Sequence, residues 1–285
     1  MIQRFTTIVL AILAVLLLAA PAFASKPRRI VSLNLCADEI VLDLVGRERI
    51  AAVSHLAADP LVSAVADRAA GLPSTRGEAE SVLALEPDLV LAGLFTTPAT
   101  LDLLQRLGRR VVRVATASDI MEIRSAIRSV ATAVEEAERG EALIRTFDAR
   151  LAASARGAGR VRPSALVYQV NGLSAGPGSL ADALIAAAGL ANHAARVGLG
   201  SGGALPLELL AAKPPDLVIL SGPADEYRTV VAENLRHPAL AAVLREHASV
   251  IVPWRLWLCG THHAAEAVER MAEARRRVAR EGRLQ

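Results

Sequence analysis

Residues 80–91 read ESVLALEPDLVL, and residues 208–219 read ELLAAKPPDLVI. The stretches lie 208 − 80 = 128 positions apart and coincide at Glu80/Glu208, Ala84/Ala212, Pro87/Pro215, Asp88/Asp216, Leu89/Leu217 and Val90/Val218. In each, a Glu opens a short apolar helix, a proline stops it, and Asp-Leu-Val launches a buried strand. Proline disfavours the helical region for the residue before it, so the breaks belong at Glu86 and Pro214. Two such units in comparable places predict a chain built as two similar lobes.

Outward from these units, strand and helix patterns alternate. Ahead of the first unit, residues 29–34 (RIVSLN) form a compact apolar strand, a helix runs from about Asp38 to Val45, and Arg49–Ser54 is a second strand. Behind it come a strand at Leu89–Ala92, a helix from Pro98 to Leu107 stopped by Gly108, and a strand at Val111–Ala115. Around the second unit the spacing predicts strands at Ala165–Val170, Asp216–Leu220 and Val250–Pro253, a helix at Ser179–Ala188, and a closing helix at His262–Arg280. Continuous apolar strands alternating with helices indicate parallel α/β sheets covered on both faces. Between the halves, residues 120–156 contain no proline, one glycine (Gly140) and helical periodicity throughout, which reads as a helix or helix pair bridging two lobes.

At the N-terminus, Arg4 precedes an apolar run from Ile8 to Ala20, and Ala22-Phe23-Ala24 is a small-x-small cleavage site. This reads as a cleaved Sec signal peptide over residues 1–24, leaving an exported mature chain that begins near Ser25. The 285 residues, 53% of them hydrophobic, suffice for a sizeable core. The net charge is only +3, from 32 basic and 29 acidic residues, and no basic cluster interleaves with aromatics, which argues against nucleic acid. The densest basic run, Arg275-Arg276-Arg277, sits among glutamates and reads as a solvated helix face.

In parallel α/β sheets ligands bind beyond the carboxyl ends of the strands. In the first lobe those ends carry Asn34, Cys36, His55, Phe95 and Thr96; in the second they carry Tyr168, Asn171, Trp254, Arg255, Trp257 and Cys259. Trp254 and Trp257 with Arg255 between them suggest a platform facing a ligand. These eleven residues are the ligand-binding candidates, with no catalytic and no metal-ligating residues assigned.

The RIVSLN strand with its helix, the paired ALEPDLVLAG and AAKPPDLVILSG segments, and the long helical bridge resemble the periplasmic binding proteins of ABC importers. The similar group is the rigid-hinge one that serves cobalamin, iron-siderophore and haem uptake. The resemblance implies two parallel-sheet α/β lobes joined by a single long α-helix, with the ligand cleft between them. Residues 25–119 would form the N-terminal lobe, 120–157 the bridging helix and 158–285 the C-terminal lobe. It also implies that Glu80 and Glu208, one on each lobe, dock onto arginines of an inner-membrane permease dimer. Alone, each Glu reads as a first-turn carboxylate favoured by the helix dipole. The pattern departs from the family after the first strand, where Leu35-Cys36-Ala37-Asp38-Glu39 stands, and in the Cys259-Gly260-Thr261-His262-His263 loop.

The two cysteines have three readings: a disulfide across the cleft, two free thiols, or soft ligands to a metal or metal complex. Among the histidines, His55, His193, His262 and His263 fall near the cleft, and one His or Cys is available as an axial ligand to a cobalt corrinoid or haem. No spacing makes a dedicated zinc or manganese site, and adjacent His262 and His263 cannot both point one way on a helix. Catalytic and nucleotide-binding motifs are absent: no G-x-S-x-G elbow, no Walker loop, and no G-x-G-x-x-G after the first strand. The reading is a monomeric binding protein without a cofactor or enzymatic activity, capturing a metal-chelate nutrient (a corrinoid, a ferric siderophore or haem). The alternatives are a bare transition-metal binding protein, or an exported enzyme or sensor on the same fold.

Overall fold

The computed structural model describes residues 26–222, 230–280 and 282. The expected signal peptide, residues 1–24, lies outside the described residues. The first lobe runs β1 (Ile30–Ser32), α1 (Leu35–Leu44), β2 (Ile50–Ser54), α2 (Ala66–Ala69), β3 (Ser74–Thr75), α3 (Ala79–Ala84), β4 (Leu89–Ala92), α4 (Pro98–Arg106) and β5 (Val111–Arg113). Two helices follow, α5 (Ile120–Ala133) and α6 (Ala137–Ala155). The second lobe runs β6 (Ser164–Val167), β7 (Leu173–Ala175), α7 (Leu180–Ala187), β8 (Ala191–Asn192), β9 (Gly202–Ala204), α8 (Leu207–Ala212), β10 (Leu217–Leu220), α9 (Pro238–Glu246), β11 (Ala248–Ile251) and α10 (Ala264–Arg280).

The first sheet has the order β3-β2-β1-β4-β5 and the second β11-β10-β6-β8, all strand pairs in both being parallel. The arrangement repeats: β1 sits between β2 and β4 as β6 sits between β8 and β10. The repeated Asp has a structural task in each. Asp88 accepts the backbone N–H groups of Arg28 (2.6 Å) and Arg29 just ahead of β1. Asp216 accepts the N–H (2.6 Å) and hydroxyl of Ser164 at the start of β6. Each carboxylate thus fixes the register of a central strand by binding donors that the ladder leaves unpaired. Pro87 and Pro215 are buried ahead of these aspartates.

The two copies end their helices differently. Glu86 takes the left-handed conformation (φ 47°) that closes α3. Pro214 cannot, because its ring holds φ negative, so after ending at the equivalent position, Ala212, α8 leaves through Lys213 at φ −137°, ψ 71°.

The single bridging helix expected over residues 120–157 is instead two helices packed against each other. The break at Val134–Glu136 contains no proline or glycine. Glu135 adopts φ 58° there, and Arg49 donates to the Val134 carbonyl (2.6 Å) and the Glu136 carboxylate (2.6 Å), with Lys26 on the same carboxylate (2.9 Å). Those charge-assisted bonds satisfy the carbonyl and carboxylate that a chain reversal exposes. Gly140 lets the two helices close up, since a Cβ there would fall 2.4 Å from the Ala131 Cβ. The main core runs through both lobes, with Ile30, Leu89, Ile127, Phe147, Leu184, Leu217 and Met271 in one apolar cluster. Arg275 departs from the solvated face expected for its run. It is 3% exposed and donates to the carbonyls of Ala188, Ser154 and Arg156, the last carbonyls of two helices that would otherwise be buried without donors.

Candidate functional site

The site begins where β1 ends. Asn34 caps α1, its Oδ1 accepting the N–H groups of Cys36 (3.0 Å) and Ala37 (3.1 Å). That cap presents Cys36 on the first turn, and Cys36 is disulfide-bonded to Cys259, 223 residues away, with Cα atoms 5.1 Å apart. Of the three readings for the cysteines, the covalent one therefore holds. Neither sulfur is a thiolate ligand, and Cys259 is 1% exposed. Because Cys36 follows β1 and Cys259 follows β11, the bond brings the carboxyl edges of the two sheets to a common seam.

The seam continues along one stripe of α1, at Cys36, Glu39 and Asp43, positions three and four apart that share a helix face. Thr261 donates to the buried Glu39 carboxylate (2.7 Å), which also accepts the Ala64 N–H. His262 Nε2 lies 2.8 Å and His263 Nε2 3.2 Å from Asp43 Oδ2, and Arg68 pairs with the other oxygen. Gly260 is obligatory here, because a Cβ would sit 2.4 Å from the Ala117 Cβ and 3.0 Å from the Ala117 carbonyl. The expectation that adjacent His262 and His263 must diverge fails because both precede α10. In the turn that leads into it their rings lie 4.1 Å apart and converge on one carboxylate.

Beyond β4, the segment Gly93-Leu94-Phe95-Thr96-Thr97 is pinned at its base. Asn34 packs so closely on Gly93 that a Cβ would meet its Nδ2 at 2.3 Å, and the Gly93 N–H donates to Thr96 Oγ1 (3.0 Å). Asn34 and Thr96 thus have structural tasks, and they hold out Leu94 and Phe95, 73% and 88% exposed. An adjoining depression of about 310 Å³ is lined by Gly93, Leu94, Thr96, Pro98, Arg113 and Thr116, among others. His55 is exposed at the end of β2 beside Leu56. An exposed apolar pair beside a pinned polar base is an arrangement suited to flat apolar surface on a ligand.

The second lobe corrects three expectations. Tyr168 is 1% exposed within a core cluster with Leu166, Leu205 and Val218, so it packs rather than faces a ligand. Trp257 is 4% exposed and stands edge-on to half-buried Trp254, ring centroids 5.9 Å apart. It supports Trp254 from beneath, and of the expected platform only Trp254 and Arg255 retain accessible surface. Asn171 is exposed at φ 58°, and its N–H donates to Asn234 Oδ1 (3.0 Å), while Asn234 Nδ2 donates to the Gln169 carbonyl. Gln169 in turn donates to Ser221 Oγ (2.8 Å), so Asn234 joins the strand-end residues Gln169 and Ser221 in one polar patch. His193, expected near the cleft, is buried with its ring on the Lys213 carbonyl.

Glu80 and Glu208 are each the second residue of a short helix, α3 and α8, and both are exposed. Two positions on, Val82 and Leu210 are both fully buried. The duplicated helices therefore anchor by equivalent apolar residues and present equivalent carboxylates, one per lobe.

Burial governs the electrostatics of the seam. Desolvation raises the Asp38 carboxyl to about 7, against lowering hydrogen bonds from Ser32 and Ser54. Glu39 is raised by burial in the same way. His262 is held down to about 3, first by burial and then by repulsion from His263 when that ring is protonated and from the guanidiniums of Arg150 and Arg68; burial likewise lowers His263. Burial thus favours the neutral form of both imidazoles.

Comparisons with known proteins agree with this architecture. The chain is 29% identical over 266 residues to a cobalamin-binding protein of Halobacterium salinarum, an alignment covering 90% of this chain and 69% of that one. Among solved structures it is similar to the periplasmic heme-binding protein RhuT of Roseiflexus sp. RS-1, with 27% identity, a TM-score of 0.72 and coverage of 88% and 99%. The periplasmic vitamin B12 binding protein BtuF of Vibrio cholerae shares the fold at 19% identity and a TM-score of 0.66, covering 89% and 98%. The profile described as Periplasmic binding protein matches residues 30–244, and the chain belongs to that family.

Proposed function

We propose that this chain is the substrate-binding component of an ABC importer that captures a metal chelate in the periplasm, a corrinoid such as cobalamin first and haem or a ferric siderophore second. It acts as a monomer of two lobes, residues 25–119 and 158–285, bridged by residues 120–157, after removal of residues 1–24. The observation that carries the reading is the likeness to a cobalamin-binding protein across 90% of the chain, on a fold whose strand ends meet at one seam. Leu94 and Phe95 from one lobe and Trp254 from the other supply apolar contact to a macrocycle. His55 and Asn171 supply polar contact, and Arg255 a cation for an anionic substituent. Glu80 and Glu208 dock the loaded protein onto a two-fold permease.

The test is a titration of the chain from Ser25 with cobalamin, cobinamide, haemin, ferric siderophores and free divalent metals, following tryptophan fluorescence. Saturable quenching by cobalamin and cobinamide supports the corrinoid reading. Quenching by haemin or one siderophore alone moves the ligand to that class, and binding of none of the chelates refutes the proposal.

A further inference from the structure

We propose that Asp43, His262 and His263 form a binding site for a single divalent transition-metal ion of the zinc class at the junction of the lobes, distinct from the captured ligand. One ligand atom from each residue lies within 4.8 Å of the other two. A tetrahedral Zn²⁺ with N and O ligands at about 2.0–2.2 Å sets neighbouring donors about 3.3 Å apart, so the observed 2.8 Å and 3.2 Å separations need only a slight opening. Two imidazoles and a carboxylate, with water at the fourth position, are a donor set suited to Zn²⁺ or Co²⁺ and not to Mg²⁺ or Ca²⁺.

The surroundings prepare the donors. His263 Nε2, 3.2 Å from Asp43 Oδ2, and His262 Nδ1 are both buried and make no hydrogen bond among the described residues. A buried ring nitrogen that faces a carboxylate without a hydrogen bond is one that a bound ion would satisfy. The neighbouring acid Glu39 is committed to Thr261 and Ala64, and the neighbouring cation Arg150 to Glu269. Arg68 is the competitor. It pairs with Asp43 but keeps 55% of its side chain exposed, so it can swing into solvent when an ion takes its place. With α1 of the first lobe and the turn before α10 of the second supplying the donors, the ion adds a third tie to the seam.

The experiment uses the full mature chain, stripped with a chelator, with no chelate ligand present. Zn²⁺ affinity is measured by competition with a chromogenic chelator, and Co²⁺ is used to read coordination from its visible absorption. One Zn²⁺ per chain is expected, with intense tetrahedral Co²⁺ bands and a Tm raised by the metal. His263→Gln and Asp43→Asn should weaken Zn²⁺ at least about tenfold, and Arg68→Gln should tighten it. Arg68→Gln removes only an exposed side chain, which keeps the test decisive if the buried variants misfold. No stoichiometric Zn²⁺ binding, or binding unmoved by Arg68→Gln and His263→Gln, overturns the proposal. Failure here leaves the chelate titration untouched, and the reverse also holds.

Discussion

Removing the Cys36–Cys259 bond should loosen the whole molecule, because the bond closes 223 residues of chain between the first helix of one lobe and the last loop of the other. In the chain-entropy account a loop of this length removes roughly 18 cal/mol/K from the unfolded state, about 5 kcal/mol near room temperature. Disulfides in practice deliver less, about 2–4 kcal/mol, since unfolded chains are not ideal. With an unfolding entropy of about 2.1 cal/mol/K per residue, that loss lowers Tm by about 3–7 °C. The perturbation of choice is Cys36→Ala with Cys259→Ala, because a serine at buried position 259 would leave a hydroxyl without a partner. Thermal unfolding by circular dichroism is compared for the oxidised, reduced and double-alanine proteins. Reduced and double-alanine forms should melt together, below the oxidised form. Equal melting of all three, or two reactive thiols in the unfolded, unreduced protein, would refute the reasoning.

Four further outcomes are expected. Asp38, with a folded pKa raised to about 7 against 3.8, binds protons more tightly folded than unfolded, so its contribution to stability falls as pH rises from about 4 to about 7. The stability gap between wild type and Asp38→Asn, read from urea midpoints, should therefore shift toward the variant across that range; a pH-independent gap would place the group's pKa near normal. Gly260→Val should cost about 1–3 kcal/mol by forcing Ala117 away, and an unchanged urea midpoint would mean that the lobes part there freely. Glu80→Ala with Glu208→Ala should abolish most uptake in a reconstituted importer while leaving ligand affinity within about twofold; equal loss of both would deny the docking role. Phe95→Ala should weaken chelate binding by about 1–3 kcal/mol, measured by fluorescence titration, without lowering Tm, since the ring is already 88% exposed.

The lobes were legible in the sequence because apolar strands, Pro stops and Gly ends are local signals, and because the 80–91 unit recurs. Strand Leu89–Ala92 was placed to the residue, and most others within two positions. The duplicated Asp was visible as a repeat, but its partners, Arg28 and Ser164, are set by which strands lie side by side. The break at Val134–Glu136 carried no breaker residue; its cause is Arg49, distant in sequence. Gly140, the only glycine in that stretch, was the one hint that two helices cross closely. Strand-end logic anticipated that Phe95, Asn171 and the two cysteines lie at strand ends, and the structure leaves Phe95 and Asn171 exposed and joins the cysteines. That logic could not separate Trp254 from Trp257, because burial of an aromatic depends on what covers it. The convergence of His262 and His263 on Asp43 was invisible, being a property of the turn ahead of α10 and of a residue some 220 positions away.

For the proposed capture of a chelate between the lobes, the ties along the stripe of Cys36, Glu39 and Asp43 on α1 make the cleft a gauge of fixed width rather than a pair of jaws. With the lobes stapled at this line, a ligand gains nothing from drawing the walls together and spends nothing on doing so. A chelate too broad is excluded by sterics. One too narrow touches a single wall and forfeits about 25 cal/mol for each Å² of apolar surface left wet on the other side. In the binding mode proposed above, selectivity resides in the span between Phe95 and Trp254, fixed when the chain folds and the bond closes.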